Sequence, residues 1–191
     1  MNRRELIKQI ALLTGTAVIG GEFFLAGCKN EDKTSVDFFS DKDILFFDEV
    51  AETILPKTNT PGAKDAEVGK FMVSYSADCY DELQLKTLKD GINKLNDAAG
   101  KKYGNDFMKI TATQKQELLT GIDAEAKKYY EKSTGQTGKE QPPHYFTLMK
   151  QLVLLGFFTS KPGVTQVLRY NPVPGKYQGC IDYKEGETSW A

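Results

Sequence analysis

Three cysteines, one histidine and scattered carboxylates are the side chains from which this chain could build chemistry. Cys28 stands in Leu25-Ala26-Gly27-Cys28, where small residues precede a thiol. A lone tetrapeptide of this kind inside a domain would mean little. Here it directly follows an apolar run, Ile10-Ala11-Leu12-Leu13 through Ala17-Val18-Ile19, headed by the arginine pair Arg3-Arg4 and by Lys8. That arrangement resembles a bacterial lipobox behind a twin-arginine export signal, a signal that carries folded proteins. The run is interrupted by Gly15, Gly20 and Gly21 and falls short of the roughly 20 apolar residues a spanning helix needs. Residues 1–27 therefore read as a signal peptide, Cys28 as the lipidated first residue of the mature chain, and residues 28–37 as a flexible tether. A diacylated and N-acylated cysteine exceeds the two-chain threshold for stable anchoring. The expected location is the periplasmic side of a membrane.

Cys79 and Cys180 remain in the mature body. An even pair in an oxidising compartment points to a disulfide; two free thiols are the alternative. Such a bond would close a loop of about 100 residues and stabilise the fold by roughly 4–5 kcal/mol in the chain-entropy model.

No other constellation assembles a catalyst. His144 has no Gly-x-Ser-x-Gly elbow to serve and, beside Pro143, reads as a surface or capping residue. One histidine and two cysteines lack zinc-ligand spacing, and no Cys-x-x-Cys-His is present for haem attachment. No phosphate-binding glycine loop or dinucleotide fingerprint is present either. The pairs Asp48-Glu49 and Asp81-Glu82 are adjacent on helices, where neighbours do not face each other, and read as solvated charges. The formal net charge is −1, about −2 once the signal is removed, with no basic stripe for nucleic acid.

The elements available to position these residues are helical. Ser40 with Asp43 forms a capping-box pattern ahead of Ile44, Phe47, Ala51 and Ile54, and Pro56 ends that helix. Val68, Phe71, Met72 and Tyr75 share one face of a second. Leu85, Leu88, Ile92, Leu95 and Ala99 mark a third, with Gly100 as its stop. Thr111 with Gln114 opens a fourth, carrying Leu118, Leu119, Ile122, Ala126 and Tyr129. Pro142-Pro143 suit the first turn of a fifth, with Tyr145, Leu148, Met149, Leu152 and Leu155, and Ser160 caps a short sixth. Period-two alternation is absent, so the expected fold is all-α: five to six helices over residues 38–191, ending in an irregular tail, 169–191. That tail is rich in proline, glycine and tyrosine and ends near Trp190. Polar disorder would lack such aromatics, so the tail should pack on its own domain or on a partner.

Leu155-Gly156-Phe157-Phe158-Thr159-Ser160-Lys161-Pro162-Gly163, then Leu168-Arg169-Tyr170-Asn171-Pro172-Val173-Pro174-Gly175, then Gly179-Cys180, resemble the gluconate 2-dehydrogenase subunit 3 family. Phe46 to Pro56 is similar to the family's opening helix, and Thr60-Pro61-Gly62-Ala63 and Cys79 also fit. The resemblance implies a non-catalytic small subunit without a cofactor of its own. It would support the folding, export or stability of a large subunit that holds FAD and oxidises sugars, sugar acids or polyols. A cytochrome c subunit often completes such assemblies. The residues expected to meet the large subunit are Arg169, Tyr170, Pro172, Pro174, Tyr177, Tyr183 and Trp190. The lipobox is a departure, since the carrier role does not need it. The rival reading is a free-standing lipoprotein binding module with no dehydrogenase partner.

Export is expected to depend on the arginine pair and anchoring on the thiol. Arg3→Lys with Arg4→Lys should leave the precursor in the cytoplasm, and Cys28→Ala should abolish acyl labelling and membrane fractionation. Normal acyl labelling of Cys28→Ala would contradict the anchor.

Overall fold

The computed structural model describes residue 5, residues 38–134 and 142–173, and 175–176, 179–182 and 184–190 of the tail. Among these, five α-helices make the body: α1 (Asp41–Ile54), α2 (Val68–Cys79), α3 (Glu82–Tyr103), α4 (Ala112–Thr134) and α5 (Tyr145–Thr159). Single 3-10 turns at Lys64–Ala66 and Phe107–Lys109 and a π-helical turn at Gly163–Val167 complete it. The fold is all-α as expected.

Local chemistry sets the helix ends. Ser40 and Asp43 form the capping box of α1: the Asp43 carboxylate accepts from the Ser40 N–H at 2.7 Å. Thr111 and Gln114 exchange the corresponding bonds at the head of α4. α3 also opens on a capping box, with Asp81 accepting from Gln84 N–H at 2.7 Å. Asp81 and Glu82 are both exposed, as expected of solvated charges, and Asp81 serves in addition as the cap. The stop of α3 differs from expectation. Gly100 is an ordinary helical position, and the helix runs one turn further to Gly104, whose φ of 73° supplies the left-handed cap. Pro142 and Pro143 lie just ahead of α5, outside its first turn. The expected sixth helix is the π-turn, where the Ser160 hydroxyl accepts from Gly163 N–H at 3.1 Å.

The core lies where α5 crosses the other four helices, against each of which it packs. Phe47, Met72, Leu88, Leu95, Phe107, Met149 and Leu152 are fully buried there. α1 and α2 pack closely because Gly69 has no side chain: a Cβ at that position would meet Asp48 Oδ1 and the Ile44 carbonyl at 2.6 Å.

Asp48 and Glu49, by contrast, are part-buried and do not behave as solvated charges. Asp48 accepts from the Gly69 N–H at 2.8 Å, so α1 supplies the cap that α2, entered through Glu67 at φ 50°, does not have in its own sequence. Glu49 turns the other way and holds Lys64 and Lys115. The Lys115–Glu49 pair, at 2.7 Å, joins α4 to α1 through an ammonium whose side chain is only 8% exposed. Burial raises the pKa of both carboxyls. For Asp48 burial outweighs the Gly69 bond, and the net shift is upward. For Glu49 the two lysines outweigh burial, and the net shift is downward.

Stripping one partner from such a pair costs more than removing the charge of both. Glu49→Ala is expected to destabilise by about 3 kcal/mol at pH 7, whereas Glu49→Leu combined with Lys115→Met, which removes both charges, should be nearly neutral. A group with a depressed folded pKa contributes stability that is complete above its unfolded value and is lost as pH falls through the folded one. The Glu49→Ala deficit should therefore shrink towards acid. Urea unfolding at pH 7 and below pH 4 reads both effects, and equal costs for the two variants would contradict the assignment.

Candidate functional site

The residues that carried chemical potential in the sequence do not converge. His144 is the N-cap of α5: its Nδ1 accepts from Phe146 N–H at 3.3 Å, and its ring lies 4.4 Å from that of Tyr145. Burial pushes its pKa down, outweighing the pull of Glu125 upward. Burial and Glu125 push the Tyr145 phenol up to about 12. A capping imidazole beside a phenol of that pKa marks a helix start, not a proton-transfer pair. Among the described residues no group of three His, Cys, Asp or Glu side chains could hold a metal ion, and no helix is long and apolar enough to cross a membrane.

Cys79, at the end of α2, and Cys180, in the tail, are both free and exposed. The expected disulfide between them is not formed. The tail is closed in another way, at its base, so the closure that the bond was expected to provide lies elsewhere.

The surface features that remain suit contact with another molecule. α5 is apolar on nearly every side, which is the pattern of a helix buried all round. Yet Leu154, Leu155 and Phe158 are 38%, 40% and 36% exposed along one outward face, where the polar side chains are Gln151 and Thr159. Tyr130 of α4 borders the same face across a shallow groove of about 360 Å³ that also takes in Leu154 and Lys150. Lys150 and Lys127 both hold Asp123, at 2.7 and 3.1 Å, and with Glu131 these charged groups edge the groove.

α5 leads through the π-turn into the tail. Val167 still packs on the core; from Arg169 onward the chain is outside it. Tyr170, Val173, Ile181 and Trp190 are exposed, at 54%, 78%, 53% and 51%. Pro172 is exposed beside them. Arg169 and Trp190, both expected to meet a partner, meet each other: the guanidinium carbon lies 4.7 Å from the indole centroid. Pro174, Tyr177 and Tyr183 of the expected docking set, and Arg3, Arg4 and Cys28 of the export and lipidation set, lie outside the described residues. The exposed row on α5 was legible in principle. A helix reading Tyr-Phe-Thr-Leu-Met-Lys-Gln-Leu-Val-Leu-Leu-Gly-Phe-Phe has more apolar residues than one face can bury.

Residues 41–175 match the profile of the family described as gluconate 2-dehydrogenase subunit 3. The chain belongs to that family. No curated protein and no solved structure is significantly similar to it. The family is an accessory subunit of a dehydrogenase complex, and its matched segment spans every helix of the body and the first limb of the tail.

The free thiols give a direct check on this surface. In the folded mature protein, without reductant, Cys79 and Cys180 should both react rapidly with a thiol reagent. A chain in which neither reacts until a reductant is added would restore the disulfide.

Proposed function

We propose that this chain is a non-catalytic small subunit that supports the folding, export or stability of a flavin-dependent dehydrogenase acting on gluconate or a related sugar or polyol. The FAD belongs to the large subunit, and this chain holds no cofactor. Electrons pass on to a cytochrome c subunit in assemblies that have one. The twin-arginine signal would carry a folded partner lacking its own signal across the membrane, and acylation at Cys28 would then keep the assembly on the periplasmic side of a membrane.

The observation that carries this reading is the outward apolar face of α5, Leu154, Leu155 and Phe158, within a segment matching an accessory-subunit family. Three large apolar side chains on one helix face cost solubility in a free protein and gain free energy on burial against a partner. Each would contribute on the order of 1 kcal/mol, given that it is already more than half buried. Tyr130, which borders the groove beside that face, is of a residue type favoured at protein interfaces.

Co-purification from the native membrane tests the proposal. The wild-type chain should bring down a protein with flavin absorbance. Leu154→Glu with Leu155→Glu keeps good helix formers on an exposed face, so its helical circular dichroism should match wild type while the flavin signal is lost. A wild-type eluate without flavoprotein, or a double variant that retains it fully, would overturn the reading.

A further inference from the structure

The C-terminal tail is closed at its base by four contacts between two short segments. Arg169 N–H donates to the Ser189 carbonyl at 2.8 Å, and Arg169 and Trp190 form an isolated parallel β-bridge. The Arg169 guanidinium reaches Glu187 at 3.6 Å and lies over the Trp190 ring at 4.7 Å. A turn with Glu187 N–H donating to the Lys184 carbonyl at 3.1 Å, and Gly186 at φ 84°, brings the second segment round. The first segment is itself fixed: Val167 packs on the core, and Leu168 N–H donates to the Gly163 carbonyl at 3.1 Å. The clasp therefore ties the end of the chain to a rigid root at the foot of α5. Residues 187–190, which complete it, lie beyond the segment matched by the family profile.

We infer that the Arg169–Trp190 clasp is a positioning device that holds the two ends of the tail together and so presents Tyr170, Val173 and Ile181 in a docking loop for the dehydrogenase subunit. This deepens the proposed function and rests on it. Arg169 spends its hydrogen bond, charge and planar face on the chain's own C-terminal segment. It thus acts through the loop and not on the partner. The loop displays Tyr170, Val173 and Ile181, all more than half exposed, from a root that follows α5 through the π-turn. None of the described residues of this stretch lies in a helix or strand, so an open tail would have to be ordered at the moment of binding. A closed one has met much of that cost in advance, which raises affinity without adding a contact. The occupant that fits is a protein surface with an apolar patch matching the α5 row and the loop together.

The test separates closure from contact. In a Cys79→Ser, Cys180→Ser parent, Arg169→Cys with Trp190→Cys places thiols at the two bridged positions, and mass spectrometry reports their oxidation. Reduced, this variant should bind the purified dehydrogenase about tenfold more weakly than the parent. Oxidised, it should return to within about twofold, because the covalent bond replaces the clasp. Weak binding in both states, or parent-like binding in both, would overturn the inference. A second readout needs no engineered bond: Arg169→Ala in the free subunit should be cut by trypsin at Lys176 and Lys184 several-fold faster, with unchanged helical melting. Unchanged cleavage and unchanged binding of Arg169→Ala would also overturn it. If the wild-type chain binds no dehydrogenase at all, the proposed function falls. If it does bind but the clasp variants match it, only the loop inference falls.

Discussion

A lysine ammonium can be held in a small apolar core only where a carboxylate reaches it, and the arrangement of this fold follows from meeting that condition at Lys115. Glu49 meets it from α1 and, by also holding Lys64, fixes the return of the loop that leads to α2. Its neighbour Asp48, pointing away from it, caps α2 at Gly69. Two adjacent carboxylates thus reach into three different elements because consecutive positions on a helix point in different directions. With α1, α2 and α4 tied in this way, and α3 joined to α1 through Lys89 and Asp43, the four helices leave a channel that one strongly apolar helix fills. That helix is α5.

The functional consequence comes from an excess. α5 carries more apolar surface than four neighbours cover, and the remainder faces outward as Leu154, Leu155 and Phe158. The polar and titratable side chains of the body have structural work. They are spent on helix ends and inter-helix ties: His144 on α5, Asp81 on α3, Asp48 on α2, Glu117 on Lys102 and Tyr103, Asp123 on Lys150. The depressions among the described residues are shallow and open to solvent. The outward row on α5 is the feature that the proposed accessory role uses.

Much of this was legible in the chain. Apolar spacing of three and four located each helix, and Ser40–Asp43 and Thr111–Gln114 announced their starts, because capping depends on a few neighbouring residues. The residues misread in sequence are those whose roles depend on distant contacts. Asp48 and Glu49 look solvated until α2 and α4 are brought beside them. Gly100 looks like a stop until the helix is seen to continue to Gly104, the first glycine that adopts a left-handed conformation. Cys79 and Cys180 form a plausible pair by count, but pairing is a matter of three-dimensional distance, and the tail is closed by an arginine and a tryptophan. In sequence, the tail's aromatics point to packing; the contact seen among the described residues is that of Trp190 with Arg169, which no local pattern encoded.

The central claim is that the α5 row and the tail loop form one surface covered by a dehydrogenase subunit. Hydroxyl-radical footprinting of the chain alone and in complex with the purified flavoprotein reads that surface side chain by side chain. The account predicts that oxidation of Leu154, Leu155, Phe158 and Tyr170 falls several-fold in the complex. Leu83 on α3 and Met108 in the turn that follows it, exposed to a similar degree, should be labelled as before. Protection of Leu83 and Met108 with the α5 and tail side chains still fully labelled would contradict it.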